Sequence, residues 1–432
     1  MLDPYAKLQV NFSLINVTKQ NWKFWLVSSI FLIVLIFNPY SQVGIFEQTK
    51  LYFFYAVSPL IIFICLPDIQ KHFSSKENIY KKNPKVKKLL FLLLISLTIS
   101  TIISINPLKS AFGSYARGQG LISHLIYLTF FLLFIIFYQT KQQQEKILKI
   151  ILAIAGITAI YAFIQKLGID FYAESHLKQY GFFGRSFATL GQPNFLGQFL
   201  LFPIWIATYF ALNNKTNKKY YWLLTFILIA ALLFTQNRAS IIGLFAGSIF
   251  FLTAHKQIPK KYKLLILTLS LITIVLFIYH IAPTTHSLQS RFLVWSKSSL
   301  FYWQDFSLIQ KLFGTGLESL PQAFYTSSTS ALESLGSAAG YDRTHNIILD
   351  TLITQGLFGL SILIAIIASL YRTFLKTKNN KLLTIIYFSA LSSILISYQF
   401  SFPLTTHYLL FALQIALIIN IMNTKAYSIS SS

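Results

Sequence analysis

Between residues 24 and 422 the chain alternates apolar runs with polar connections. A helix needs about 20 mostly apolar residues to cross the hydrocarbon core of a bilayer. Runs of that kind lie near 24–37, 51–66, 89–105, 121–138, 147–164, 195–212, 220–235, 239–254, 264–281, 346–370, 382–400 and 405–422. The pattern predicts an all-α polytopic membrane protein of about twelve transmembrane helices, with a single membrane-embedded domain over 1–432. Two connections are long enough to fold, near 165–194 and 282–345. The second, between the ninth and tenth runs, is expected to be a large, partly helical loop.

Composition supports the membrane reading. Of 432 residues, 55% are hydrophobic and only 11% charged, against roughly 25% charged in an average soluble domain. The net charge of +24 is carried mostly by lysine, and a lysine fringe against anionic headgroups explains it without a nucleic-acid partner. The densest connection, from Lys71 to Lys88, holds seven lysines. Cytoplasmic loops retain such charge, so both termini are expected in the cytoplasm of a bacterium, with the protein in its inner membrane. The first apolar run lacks a cleavage site and is expected to stay as an anchor. The single Cys65 leaves no internal disulfide and no cysteine metal site.

Arginine does not follow lysine. Of six arginines, Arg117, Arg185, Arg238, Arg291 and Arg343 fall in segments on the extracytoplasmic side of this topology, and only Arg372 falls inside. A planar, permanently charged guanidinium grips two phosphate oxygens at once, which a lysine ammonium does not. The cluster therefore suggests an anionic ligand; interfacial anchoring is the alternative for any one of them.

Within the large loop, Arg291, Trp295, Ser298, Tyr302 and Asp305 recur with the period of one helical face. Such a face could hold a phosphate beside a stacked sugar, or could lie in the interface with its aromatics at headgroup depth. Gly314-Thr315-Gly316 is expected to form a turn, because no Gly-Lys-Ser/Thr follows to make a nucleotide loop. A flexible stretch, Ser327 to Gly340, leads to Tyr341-Asp342-Arg343-Thr344-His345-Asn346. Thr344 is expected to cap the tenth span, placing His345 in the first turn, where the helix dipole favours a neutral imidazole able to act as a base. Asp350, five residues on, belongs to the same site.

Four pieces of sequence together resemble the O-antigen ligase and O-antigen polymerase superfamily of bacterial envelope glycosyltransferases. They are Gly191-Gln192-Pro193-Asn194, Thr235-Gln236-Asn237-Arg238, Arg291 with Trp295, and His345-Asn346 followed by Gly356-Leu357-Phe358-Gly359. The resemblance covers roughly 185–370 as an O-antigen ligase-like core. The segment from Gly113 to Gly120, around Arg117, is also similar to family members. Such proteins move a glycan from an undecaprenyl-diphosphate carrier to an acceptor hydroxyl on the extracytoplasmic face, without nucleotide sugar, cofactor or metal. By position, Arg238, Arg291 and His345 resemble the family's essential residues.

The resemblance implies His345, Arg291 and Arg238 as catalytic, with Arg117, Arg185, Asn194, Trp295, Tyr302, Arg343, Asn346 and Asp350 as substrate-binding. Guanidinium donors would stabilise the charge that builds on the leaving diphosphate. His345 would draw the proton from the acceptor, oriented by Asp350 or Asn346. A repeat-unit polymerase stays open beside the ligase, as does a flippase that holds a lipid diphosphate during translocation. Ionisable residues inside the spans are few, chiefly His124, Lys149, His280 and Asp350, whereas a coupled transporter places charges near the midplane.

Overall fold

The computed structural model describes residues 22–40, 44–75, 84–169, 184–214, 216–255, 264, 286–326, 342–377 and 381–430. Among them every regular element is helical. In chain order these are α1 (Trp22–Val34), α2 (Glu47–Ser74), α3 (Pro84–Ile102), α4 (Pro107–Phe112), α5 (Leu121–Phe137), α6 (Lys141–Lys166), α7 (Pro193–Asn213), α8 (Lys218–Phe234) and α9 (Arg238–Ala254). After these come α10 (His286–Gln304), α11 (Leu308–Phe313), α12 (Leu320–Thr326), α13 (Ile347–Lys376), α14 (Leu382–Ser397) and α15 (Thr405–Ser430). A helix stands at each predicted run except the ninth, 264–281, which lies outside the described residues beyond its first position. The stretch from Ser327 to Gly340 and Tyr341 lie outside them too.

Among the described residues, five helices, α2, α6, α7, α13 and α15, are long and apolar enough to cross a membrane by themselves. The core follows from where the apolar surface is dense. α7 is buried along almost its whole length and packs against α8 and α14, while α5 packs along α15. Lipid tails are as apolar as leucine, so close backbone approach through small residues holds such helices together. Gly243 and Gly247 of α9 lie four apart and face Ser389, Ser393 and Ser397 of α14, spaced alike; a Cβ on either glycine would collide with Ser393. The indole N–H of Trp205 donates to Ser393 Oγ at 2.9 Å from the third side.

The helix after the large loop is broken. Gly356, inside α13, has φ 67 and ψ −170, a conformation open to glycine at little cost. The carbonyls released there do not go unpaired: Thr315 N–H donates to Ile353 O at 2.9 Å and Gly316 N–H to Thr354 O at 3.1 Å. The Ser100 hydroxyl also donates to Thr354 O. The segment expected to be a turn therefore has a larger role, because it threads into the gap of α13 and completes its hydrogen bonding. Close approach explains the glycines: a Cβ on Gly314 would strike the Thr354 backbone, and one on Gly356 the Leu312 backbone.

Candidate functional site

The loop ends and helix termini near the start of α13 collect most of the residues singled out from the sequence. Two groups separate.

The first comprises Arg185, Arg238, Arg291 and His345. Arg238 opens α9, whose N-cap Asn237 accepts from Ala239 N–H through its side-chain oxygen at 3.1 Å. Arg185 lies in the extended segment before α7. Its Nε donates to Thr235 O at 2.9 Å and its Nη2 to Asn194 Oδ1 at 3.4 Å. The Asn194 carbonyl accepts from Asn237 Nδ2 at 3.0 Å, so the two polar turns quoted for the resemblance are stitched to one another. Burial lowers the proton affinity of Arg185, and the positive charges of Arg238 and Arg291 lower it further. Three guanidinium groups thus share one electrostatic neighbourhood.

His345 belongs to that neighbourhood. Burial, then the charge of Arg291, depress its pKa below the ordinary value. The expected cause was different. Thr344 is not the cap of α13: Asn346 is, its side-chain oxygen accepting from Ile348 N–H at 2.9 Å and Leu349 N–H at 3.1 Å. His345 therefore precedes the helix rather than occupying its first turn, and it sits at φ 56, strained for a residue with a side chain. Its neutrality comes from burial and a neighbouring cation. Nδ1 lies 3.1 Å from Arg343 O. A carbonyl can only accept, so Nδ1 carries the proton and Nε2 keeps its lone pair. The Arg343 carbonyl orients the ring, together with Phe402, whose ring centroid is 4.9 Å away, edge to face.

The second group pairs its arginines with acids. Arg343 donates to Glu318 Oε1 and to Asp350 Oδ2, both at 3.0 Å. Although burial opposes it, the two carboxylates raise its proton affinity. Arg117 Nε donates to Asp342 Oδ2 at 2.8 Å, and that carboxyl, which burial alone would push up, is held below its usual range by Arg117. Glu318 also accepts from the backbone N–H groups of Ser114 and of Gln119, the latter at 2.8 Å. Asp350 Oδ1 takes Thr344 N–H at 3.1 Å. This acid-arginine network fastens the end of the large loop to the 113–120 segment. Glu318 was not singled out from the sequence; its scarcity was the available signal, since the chain has only 12 acids.

The remaining candidates divide. Trp295 of α10 donates its indole N–H to Thr344 O at 2.9 Å, fixing the residue beside His345. Asn346 Nδ2 donates to Gln399 O at 3.2 Å. Tyr302 is not brought to the site. It is buried with Phe301 and Phe306 in a small core of the loop, its hydroxyl donating to Lys311 O at 2.8 Å. Of the predicted α10 face, Ser298 is buried and Asp305 falls one residue past the helix end. Arg372 lies near the far end of α13 from His345.

No curated protein matches the chain. Residues 223–364, a segment that takes in Arg238, Arg291 and His345, match the family model described as O-antigen ligase, and the chain carries in that segment the domain of the O-antigen ligase superfamily.

Proposed function

We propose that this protein is a glycosyltransferase of the bacterial inner membrane, which moves a glycan from an undecaprenyl-diphosphate carrier to an acceptor hydroxyl on the extracytoplasmic face. One observation carries this reading: Arg185, Arg238, Arg291 and a buried imidazole lie within electrostatic reach of one another, and the Arg343 carbonyl holds the imidazole Nδ1–H.

The chemistry follows. Arg185, Arg238 and Arg291 hold the diphosphate, replacing water with fixed donors where negative charge builds. The acceptor oxygen attacks the anomeric carbon, the bond from that carbon to the phosphate oxygen breaks, and the diphosphate leaves with the electron pair. The acceptor proton passes to His345 Nε2. A single displacement inverts the anomeric centre. Trp295 and Phe402 set the position of His345, and the Glu318–Arg343–Asp350 network holds the loop that carries it. Arg117 joins that network through Asp342, while Asn194 and Asn346 steady the two turns from which the arginines and the histidine project.

Repeat-unit polymerisation is the alternative within the same chemistry, and the acceptor that the purified protein uses separates it from an O-antigen ligase-like transfer. The decisive experiment is transfer by purified protein in vesicles containing polyprenyl-diphosphate-linked glycan. His345→Ala should lose transfer while retaining diphosphate-lipid binding. A flippase needs no base, so undiminished lipid translocation with no transfer by the unaltered protein would overturn the proposal.

A further inference from the structure

A base placed among guanidiniums carries a handicap. When His345 takes the acceptor proton its ring becomes a cation, and Arg291 already opposes that charge from α10. Like charges disfavour one another's formation. The site therefore needs a carboxylate that acts on the ring and is not tied up elsewhere.

Two acids on the ring's own segment act on it, Asp342 and then Asp350. Asp350 is committed: Oδ2 accepts from Arg343, and Oδ1 accepts from the backbone N–H and the hydroxyl of Thr344. Glu318, on the same network, is bound by Arg343 and by the amides of Ser114 and Gln119. Asp342 differs. Among the described residues its one hydrogen bond comes from Arg117 Nε to Oδ2, at 2.8 Å, and its side chain stays 41% exposed. It stands three residues before His345, next to the Arg343 carbonyl that takes the Nδ1 proton. A shared ring keeps the two together: the Phe402 centroid is 5.0 Å from the Arg117 guanidinium and 4.9 Å from the His345 ring. Burial alone would raise the Asp342 carboxyl, but Arg117 holds it below its usual range, so it is charged wherever a neutral imidazole can work.

We propose that Asp342 is a positioning residue of the transfer step: its carboxylate, anchored by Arg117, is the counter-charge for the imidazolium that His345 becomes. The acceptor O–H bond breaks and its proton forms Nε2–H, while the oxygen's electron pair goes to the anomeric carbon and the diphosphate leaves with the pair of the broken bond. Asp342 itself gains and loses no proton. The inference rests on the transfer reading above and adds to it a carboxylate that makes the base usable beside three arginines.

The test reads two quantities on the full chain in vesicles. One is the pH profile of transfer from polyprenyl-diphosphate-linked glycan. The other is deuterium exchange at the His345 C2–H, followed by mass spectrometry, which titrates the ring with no donor present. Asp342→Asn removes a favourable charge, so the exchange midpoint and the acid limb of transfer should both fall, by about one pH unit, and the plateau rate should drop about tenfold as the base weakens. Asp342→Glu should restore both. Arg117→Gln frees the carboxylate but keeps its charge, so transfer should fall without an acidward shift of the midpoint. A lower rate in Asp342→Asn with an unmoved His345 midpoint overturns the inference, because the carboxylate would then only hold the loop. So does an equal acidward shift in Arg117→Gln. The expected midpoint shift in a protein that transfers no glycan at all would sink the transfer reading instead, while leaving the electrostatic pairing of Asp342 with His345 in place.

Discussion

Arg343 and Arg291 lie close to the same histidine, yet one is matched by Glu318 and Asp350 and the other adds to the positive field of Arg185 and Arg238. The contrast shows how one residue type serves two ends. A guanidinium among carboxylates is a fastener, because removing either partner strands a buried charge. Guanidiniums that share one neighbourhood offer several charged donors to a single anion. Position in the sequence does not separate the two kinds; the neighbours do.

Substitutions can break this contrast or sharpen it. The largest expected effect is on transfer: His345→Ala should lower the rate about 10²–10⁴-fold, measured as glycan joined to acceptor, with the melting temperature little changed. Arg238→Gln and Arg291→Gln should each lower it by about 10²–10³-fold, with a smaller drop in melting temperature than Glu318→Ala brings. Equal destabilisation by Arg238→Gln and Glu318→Ala would erase the distinction between the two groups. Glu318→Ala should cost about 1–3 kcal/mol for each buried donor it leaves without an acceptor, namely one Arg343 N–H and the amides of Ser114 and Gln119, read as a large drop in melting temperature.

The pH profile offers a subtler measure. Transfer needs the neutral imidazole, and His345 is depressed by burial and by Arg291. Its acid limb should therefore lie below about 6.5, the ordinary histidine value. In Arg291→Gln one depressing influence is gone, so the limb should move upward; a limb that does not move would place Arg291 away from the ring. The smallest effect is expected for Tyr302→Phe, which removes the hydrogen bond to Lys311 O. It should cost about 1 kcal/mol of stability and leave transfer intact, whereas Trp295→Phe should lower transfer through the segment beside His345.

Much of the helical layout was legible, because a backbone in hydrocarbon must satisfy its own hydrogen bonds and so writes long apolar runs into the sequence. The gathering of Arg185, Arg238, Arg291 and His345 was foreshadowed by arginines that departed from the lysine pattern. What stayed hidden depends on contacts between distant segments. Asn346 rather than Thr344 caps α13, since the choice hangs on how Asp350 and Trp295 hold Thr344. Tyr302 shares a helical face with Arg291 but turns into the loop's own small core, which periodicity alone does not reveal. The role of Gly314-Thr315-Gly316 is invisible without its partner 38 residues away, because a gap in one helix and the strip that fills it have no common local signature.

That filled gap constrains the order in which the molecule is built. The strip is synthesised before α13, yet its N–H groups have nothing to bind until Ile353 and Thr354 arrive. The carbonyls of α13, for their part, would each cost several kcal/mol if left bare in hydrocarbon. Insertion of α13 and docking of the loop are therefore one assembly step, and nascent chains halted before Thr354 should remain open to protease across 308–320 while full-length chains resist it.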